Sequence, residues 1–345
     1  MPYECLIDFE NFMNKNSIIP FGKTNLYVSR VGLGLAALGR PGYINLGHGD
    51  DLNNNYDIEV MQKNAAQVMD VALQNGIRYF DTARSYGKGE LFLKSWLNQQ
   101  EDTSKLVVGS KWGYEYTAEW NVKAEHHEIK SHTLDLLKKQ WMESVSLLDE
   151  NLNIYHIHSA TLESGVLDNE EVLQQLWDIK STGTIIGLSL SGEKQSETLE
   201  KALKIQRESE HLFQSVQATY NILERSASKM LEEAAYQGWG VIIKEVVANG
   251  RLTGRNEEED FQPFKQKLNA IAQKHDVGID AIAMAFVLSQ PWVSVALSGA
   301  STADMLQENL KGAEVQLDMF DLQMLDEIYE ENEIYWQKRK ELDWN

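Results

Sequence analysis

Cysteine is almost missing from this 345-residue sequence: Cys5 stands alone, so no disulfide can form within the chain and no zinc site can be built from several thiolates. A single thiol fits a reducing compartment, and the cytoplasm is the expected location. Proline is scarce, at 5 residues, and no long polar tract interrupts the chain, which argues against disordered linkers. No apolar run approaches the roughly 18 residues that a membrane span requires. The first residues, MPYECLIDFENF, are acidic and lack the apolar segment of a secretory signal. Positive charge is also in short supply: 32 Lys and Arg face 52 Asp and Glu, a net charge of −20. Such a surface repels nucleic acid and anionic lipid, so neither is an expected partner. An anionic ligand has to be met locally, by helix N-termini, backbone amides or a few cations.

What remains is ordinary for a globular chain, with 43% hydrophobic and 24% charged residues. The reading is one domain over residues 1–345, with its core at about 17–315 and a tail at 316–345. Residues 17–30 suggest a β-hairpin around the polar turn GKTN. From Val31 the pattern alternates. Short apolar runs at 31–35, 77–81, 105–110, 152–157, 184–189, 212–217, 240–244 and 292–297 predict strands. Helical periodicity at 57–75, 89–99, 130–150, 168–181, 194–208, 226–237, 258–275, 278–290 and 302–311 separates or follows them. Strands spaced by helices imply a parallel sheet, and eight such units predict a (β/α)8 barrel. The rival is an open, doubly wound sheet. Against it, GLGLAALGRPG leads into a Gly- and Asn-rich loop at 39–55 rather than through GxGxxG into a helix.

A parallel barrel keeps its active site at the C-terminal ends of its strands. Asp81, Lys111, His158, Ser189, Gln217 and Lys244 stand at those ends, and Tyr86 follows Asp81 closely. Asp81, Tyr86, Lys111 and His158 come from three consecutive strand ends and can converge. An ammonium beside a phenol stabilises the phenolate, a carboxylate holds the ammonium, and an imidazole donates to a carbonyl oxygen. Together they make a site that protonates an oxygen while another agent attacks the carbon.

Here GIRYFDTARSYGKGE (76–90) resembles the signature of the aldo-keto reductase family. VVGSKWG (107–113) is similar to the family's lysine strand, and LNIYHIHSA (152–160) to its histidine strand. IGLSLSG, QATYNILER, ANGRLTG and SGASTADMLQENL follow in the family's order, so the likeness runs from about residue 17 to 315. The resemblance implies an oxidoreductase using NADP or NAD on a small-molecule carbonyl or alcohol: an aldehyde, a ketone or a sugar. Tyr86 is then the general acid/base, tuned by Lys111 and Asp81, and His158 orients the carbonyl. It also implies a cofactor site. Gly34, Leu35 and Asp81 approach the nicotinamide side; Ser189 and Gln217 hold the carboxamide. Val246, Val247, Gly250 and Leu252 lie over the pyrophosphate. Gly299, Ser301, Glu308 and Asn309 meet the adenosine.

Three departures stand out. Leu190 follows Ser189 where many members carry Asn, and Lys244 replaces a stacking aromatic at the nicotinamide. Gly299 and Met305 stand where many members place cations for a 2′-phosphate, which leaves NADP against NAD open, with Arg251 and Arg255 as possible substitutes. The loop WGYEYTAEW (112–120) offers Trp112, Tyr114 and Trp120 as a substrate wall. Two other classes stay in view: a cofactor-binding redox-sensing subunit with little turnover, and a metal-dependent barrel hydrolase built on His156 and His158. No metal is expected. His126 and His127 read as a solvated loop, and the oligomeric state is open.

Overall fold

Two short strands, β1 (Ile18–Pro20) and β2 (Tyr27–Ser29), open the region described by the computed structural model, residues 17–345. Cys5 and the acidic N-terminal stretch lie outside the described residues. The strands pair antiparallel, Ile18 opposite Ser29, as the GKTN turn predicts. The hairpin is a plug. Phe21 and Val28 are fully buried against Tyr79, Val107, Ile154, Ile185, Ile242 and Val295, the innermost side chains of the sheet. The fit depends on a missing side chain: a Cβ on Gly240 would lie 2.2 Å from the Phe21 ring.

The strands above the plug are β3 (Val31–Gly34), β4 (Tyr79–Asp81), β5 (Val107–Trp112), and then a side hairpin of β6 (Tyr114–Tyr116) and β7 (Glu128–Lys130). They continue as β8 (Leu152–Ala160), β9 (Ile185–Leu190), a small hairpin of β10 (Gln206–Arg207) and β11 (Glu210–His211), then β12 (Ser215–Thr219), β13 (Gly240–Lys244) and β14 (Val295–Ser298). In the order β3-β4-β5-β8-β9-β12-β13-β14 they close into a parallel barrel. The eight predicted strands are the eight found.

The helices are α1 (His48–Asp51), α2 (Ile58–Gln74), α3 (Gly89–Leu97), α4 (Leu134–Leu148), α5 (Glu170–Lys180) and α6 (Gln195–Leu203). After them come α7 (Ser228–Tyr236), α8 (Gln262–His275), α9 (Ile279–Leu288), α10 (Ala303–Lys311), α11 (Met319–Asp326) and α12 (Asn332–Lys340). Local chemistry sets their starts. Asp57 accepts from the Glu59 and Val60 amides at 3.0 Å to cap α2, and Asn169 accepts from Val172 N at 3.2 Å to cap α5. Met61, Ala65, Val68, Met69 and Ala72 then form the buried stripe by which α2 packs on the barrel.

Three segments differ from the periodicity. The helix predicted from 130 starts at Leu134, because Glu128–Lys130 is drawn into β7 by pairing with β6. The one predicted over 194–208 stops at Leu203, where β10 begins a tight turn. The tail forms α11 and α12, and α12 crosses the barrel mouth, where Asn221 Nδ2 donates to the Tyr335 hydroxyl at 3.0 Å. The chain then doubles back, and Asn345 and Tyr43 exchange two main-chain hydrogen bonds of 3.1 Å. No helix among the described residues is long and apolar enough to cross a membrane.

Candidate active site

Strand periodicity decides what reaches the bore. On β4, Tyr79 belongs to the inner cluster and Phe80 to the outer core, so Asp81 points inward again. On β5, Val107 is inside and Val108 outside, which sends Lys111 in and Trp112 out. The Tyr79 ring rises through the bore, stacked 6.4 Å above Phe21, and its hydroxyl reaches Asp81 Oδ1 at 3.4 Å. Gly109 leaves the room, since a Cβ there would lie 2.5 Å from that hydroxyl.

Lys111 is the hub. Its Nζ donates to Asp81 Oδ2 at 2.5 Å, to the Thr82 carbonyl at 2.9 Å and to Tyr86 Oη at 3.2 Å. Gln217 Nε2 donates to the other Asp81 oxygen at 2.8 Å, so the carboxylate is held from three sides. His158 meets Tyr86 edge to face at 5.5 Å and Tyr114 at 4.9 Å. Its Nδ1 lies 3.4 Å from Ser85 Oγ, and its carbonyl accepts from His132 Nε2 at 2.9 Å. The four predicted residues therefore converge at one point of the rim.

The electrostatics correct one expectation. The Tyr86 phenol is not acidified: burial pushes it well above the usual tyrosine value, the Asp81 carboxylate adds to this, and the Arg40 guanidinium opposes it. The group is thus firmly protonated at neutral pH. Burial lowers the Lys111 ammonium, opposed by Asp81, and lowers His158 far below its ordinary value, so the imidazole is neutral. Arg40 was not singled out from sequence. Its guanidinium lies about 5.1 Å from the Tyr43 and Tyr86 rings and 4.8 Å from Trp344, anchored by Glu128 at 2.8 Å and the Ser85 carbonyl at 3.2 Å. His127, expected in a solvated loop, is buried and stacks on Trp344 at 4.0 Å.

Across the mouth, Lys244 donates to Thr219 Oγ1 at 2.7 Å and approaches Glu245 at 3.3 Å, while Arg339 of α12 closes on Glu245 at 2.5 Å. Burial brings Lys244 down to about 8. Burial also works to raise Glu245, but Arg339 and Lys244 outweigh it and pull the carboxyl down to about 2.

From Tyr86 a groove runs to the N-terminal end of α10. It gathers Gly34, Asp81, Gln217, Lys244, Val246, Val247, Gly250, Gly299 and Asn309 from the predicted cofactor set. Two loops roof it: Leu46 N donates to the Asn249 carbonyl at 3.0 Å, and Asn249 Nδ2 reaches Asn45 Oδ1 at 3.4 Å. Glu245, Ala248 and Asn249 hold left-handed backbone in the second loop, an unusual concentration for residues other than glycine.

Other predicted residues stand back from the groove. Leu35 and Leu252 are buried in the core. Ser189 Oγ is taken by the Ser159 amide at 2.8 Å, Ser301 Oγ turns to Asp51 at 3.2 Å, and Glu308 pairs with Lys311 at 2.6 Å. Arg251 is buried against Glu330 and does not line the groove, whereas Arg255 does. Of the aromatic wall only Tyr114 faces the site. Trp112 lies in the core beside His132 at 5.6 Å, and Trp120 packs outside, against Phe92, with Nε1 on the Tyr56 carbonyl at 2.7 Å. His156 also turns away from His158, to Ser215 Oγ at 3.0 Å. Among the described residues no three His, Cys, Asp or Glu side chains gather in a way that could hold a metal ion.

Comparison with known proteins gives a consistent picture. The model of the aldo/keto reductase family matches residues 32–330. A Bacillus subtilis (strain 168) protein described as uncharacterized oxidoreductase YrpG is 24% identical over 339 residues, 89% of this chain and 94% of its own. D-threo-aldose 1-dehydrogenase of a Pseudomonas species is 24% identical over 300 residues, 79% of this chain and 90% of its own. Among solved structures, aldo-keto reductase AKR11C1 from Bacillus halodurans, in its holo form, shares the fold with a TM-score of 0.70 at 19% identity, over 92% of this chain and 99% of that one.

Proposed function

The chain belongs to the aldo/keto reductase family, and on that premise we propose that it is an NAD(P)-dependent oxidoreductase acting between a small aldehyde, ketone or sugar carbonyl and the corresponding alcohol. One observation carries the reading: the Lys111 ammonium bridges Asp81 and Tyr86 at the head of a long groove. The groove suits a dinucleotide. Two buried amide oxygens along it, Asn249 Oδ1 and Asn309 Oδ1, have no partner, which leaves acceptors for a ligand's amino or hydroxyl groups. Gly299 and Asn309 would hold the adenosine, Val246, Val247 and Gly250 the pyrophosphate, and Gly34, Gln217 and Lys244 the nicotinamide end. When bound, the dinucleotide supplies the hydride.

The protein's own residues handle the proton. Tyr86 is kept protonated by burial and by Asp81, so its Oη is a donor for the carbonyl oxygen of a substrate lodged at the rim. Lys111, 3.2 Å away, stabilises the phenolate that remains, and Asp81 fixes Lys111. His158 is neutral, and with Nδ1 facing Ser85 its Nε2–H is left to align the same oxygen. Tyr114, Tyr43 and Trp344 supply the aromatic wall. The same reading gives a cytoplasmic enzyme with a small-molecule partner.

Tyr86→Phe tests the assignment. Oxidation of the reduced cofactor by a panel of aldehydes should fall by about 10²–10⁴-fold, while fluorescence titration shows the cofactor still bound. Wild-type rates in the variant would overturn Tyr86 as the acid, and a wild type that binds cofactor but turns over no carbonyl would favour the sensing subunit.

A further inference from the structure

The end of the groove away from Tyr86 is lined by Gly299, Met305, Asn309 and Arg255. Among the described residues that line the groove, Arg255 and Lys244 are the only cations, and Lys244 is committed to the opposite end. Arg255 is therefore the one cation placed to meet a phosphate at the adenosine. It is already paired, though its side chain is 45% exposed. Its Nη2 is bound to Asp51 at 2.5 Å, and its Nη1 turns to the Leu46 carbonyl at 3.4 Å. The second Asp51 oxygen accepts from Ser301 Oγ at 3.2 Å, so that hydroxyl is engaged as well. Asp51 is itself almost fully buried, at 7% exposure, under the loop that roofs the groove. Asp50 and Asp280 also act on Arg255 in the same electrostatic sense as Asp51.

That balance is negative. A 2′-phosphate brings close to two further negative charges and would meet a cation whose charge a carboxylate already balances. A ribose 2′-hydroxyl carries no charge to repel. The adenine edge keeps its own anchor, since Asn309 is 5% exposed and its Oδ1 is unpartnered toward the groove. Resting on the dinucleotide reading above, we infer that this groove selects the cofactor lacking the 2′-phosphate, NADH over NADPH, and that Asp51 is the discriminating residue through its hold on Arg255 and Ser301.

The test is equilibrium binding, with no turnover involved. NADH and NADPH are titrated separately into the full chain, read by energy transfer from tryptophan to the dihydronicotinamide. The wild type should bind NADH at least about ten-fold more tightly than NADPH. Asp51→Asn frees Arg255 and should shrink that ratio by about ten-fold or more, mainly by tightening NADPH. In Asp51→Asn/Arg255→Ala the gain for NADPH should disappear again, which ties the effect to the released cation. Circular dichroism checks that each variant is folded, and Asp51→Ser serves if the Asn variant is not. A wild type that prefers NADPH, or a ratio unmoved by Asp51→Asn, overturns the inference while leaving the dinucleotide reading intact. Binding of neither nucleotide overturns both.

Discussion

Replacing Lys111 by Met separates the two roles of the buried ion pair. The ammonium lies 3.2 Å from Tyr86 Oη. At that distance, with an effective dielectric constant of roughly 20, a phenolate and an ammonium attract by about 5 kcal/mol. That figure is an upper limit, because Asp81 pulls on the same charge, and it corresponds to about three to four powers of ten in rate. The ground state pays separately. Without Lys111 the Asp81 carboxylate stays buried with only the Gln217 amide at 2.8 Å and the Tyr79 hydroxyl at 3.4 Å, and stranding a charge in this way costs about 3–5 kcal/mol of stability. Asp81→Asn/Lys111→Met removes both charges. It should recover most of the stability in urea melts but none of the carbonyl reduction rate, measured with the Tyr86 hydroxyl still in place. Reduction by Lys111→Met within about ten-fold of wild type, or a double variant that regains rate along with stability, would refute this account of the pair.

Three further outcomes follow from the same geometry. His48 and His132 are brought down to about 4 by burial, and His156 to about 3. All three are neutral in the folded chain, so the unfolded chain binds more protons between these values and the ordinary 6.5 of histidine; stability is complete above about pH 6.5 and is lost as pH falls toward 4. His132→Gln should reduce that slope by up to about 1.4 kcal/mol per pH unit, read from urea midpoints at pH 5 and 6. Arg339→Leu leaves Glu245 with Lys244 as its remaining cation and loosens α12 from the barrel mouth; a loss of about 3 kcal/mol is expected by chemical denaturation, and no change would show the contact to be incidental. Gly240→Ala places a methyl against Phe21 and should cost about 1–3 kcal/mol while sparing cofactor affinity, since the plug sits at the opposite end of the barrel from the groove.

The barrel was legible because alternation of short apolar runs and amphipathic helices is a property of the whole chain, and every barrel strand carried it. Asp81, Lys111 and His158 were legible for a related reason: strand ends face one rim, and alternate residues face the bore. The same rule excludes Trp112, which follows the inward Lys111 and must point outward; its place in an aromatic run hid this. Arg40 and Trp344 lie in a loop and the tail and Asp51 ends the short helix α1; their positions are set by contacts distant in sequence, such as Asn345 with Tyr43, which periodicity does not carry. The raised pKa of Tyr86 is not legible in the sequence, because spacing shows the neighbouring cation but not the depth of burial, and burial is the largest influence on this phenol.

The roof over the groove is fastened in part by backbone. Leu46 N–H meets the Asn249 carbonyl, and farther along Tyr43 and Asn345 clasp each other main chain to main chain. On the proposed function, a ligand held underneath would be released more readily when such a fastening lets go, and an unclasping motion would then be one step of each cycle. Side chains brace these fastenings, Asn345 Nδ2 donating to the Asn45 carbonyl at 2.9 Å and Asn249 Nδ2 reaching Asn45 Oδ1 at 3.4 Å, so drift of the sequence at Asn45, Asn249 or Asn345 would reset that clock while the barrel beneath stays the same.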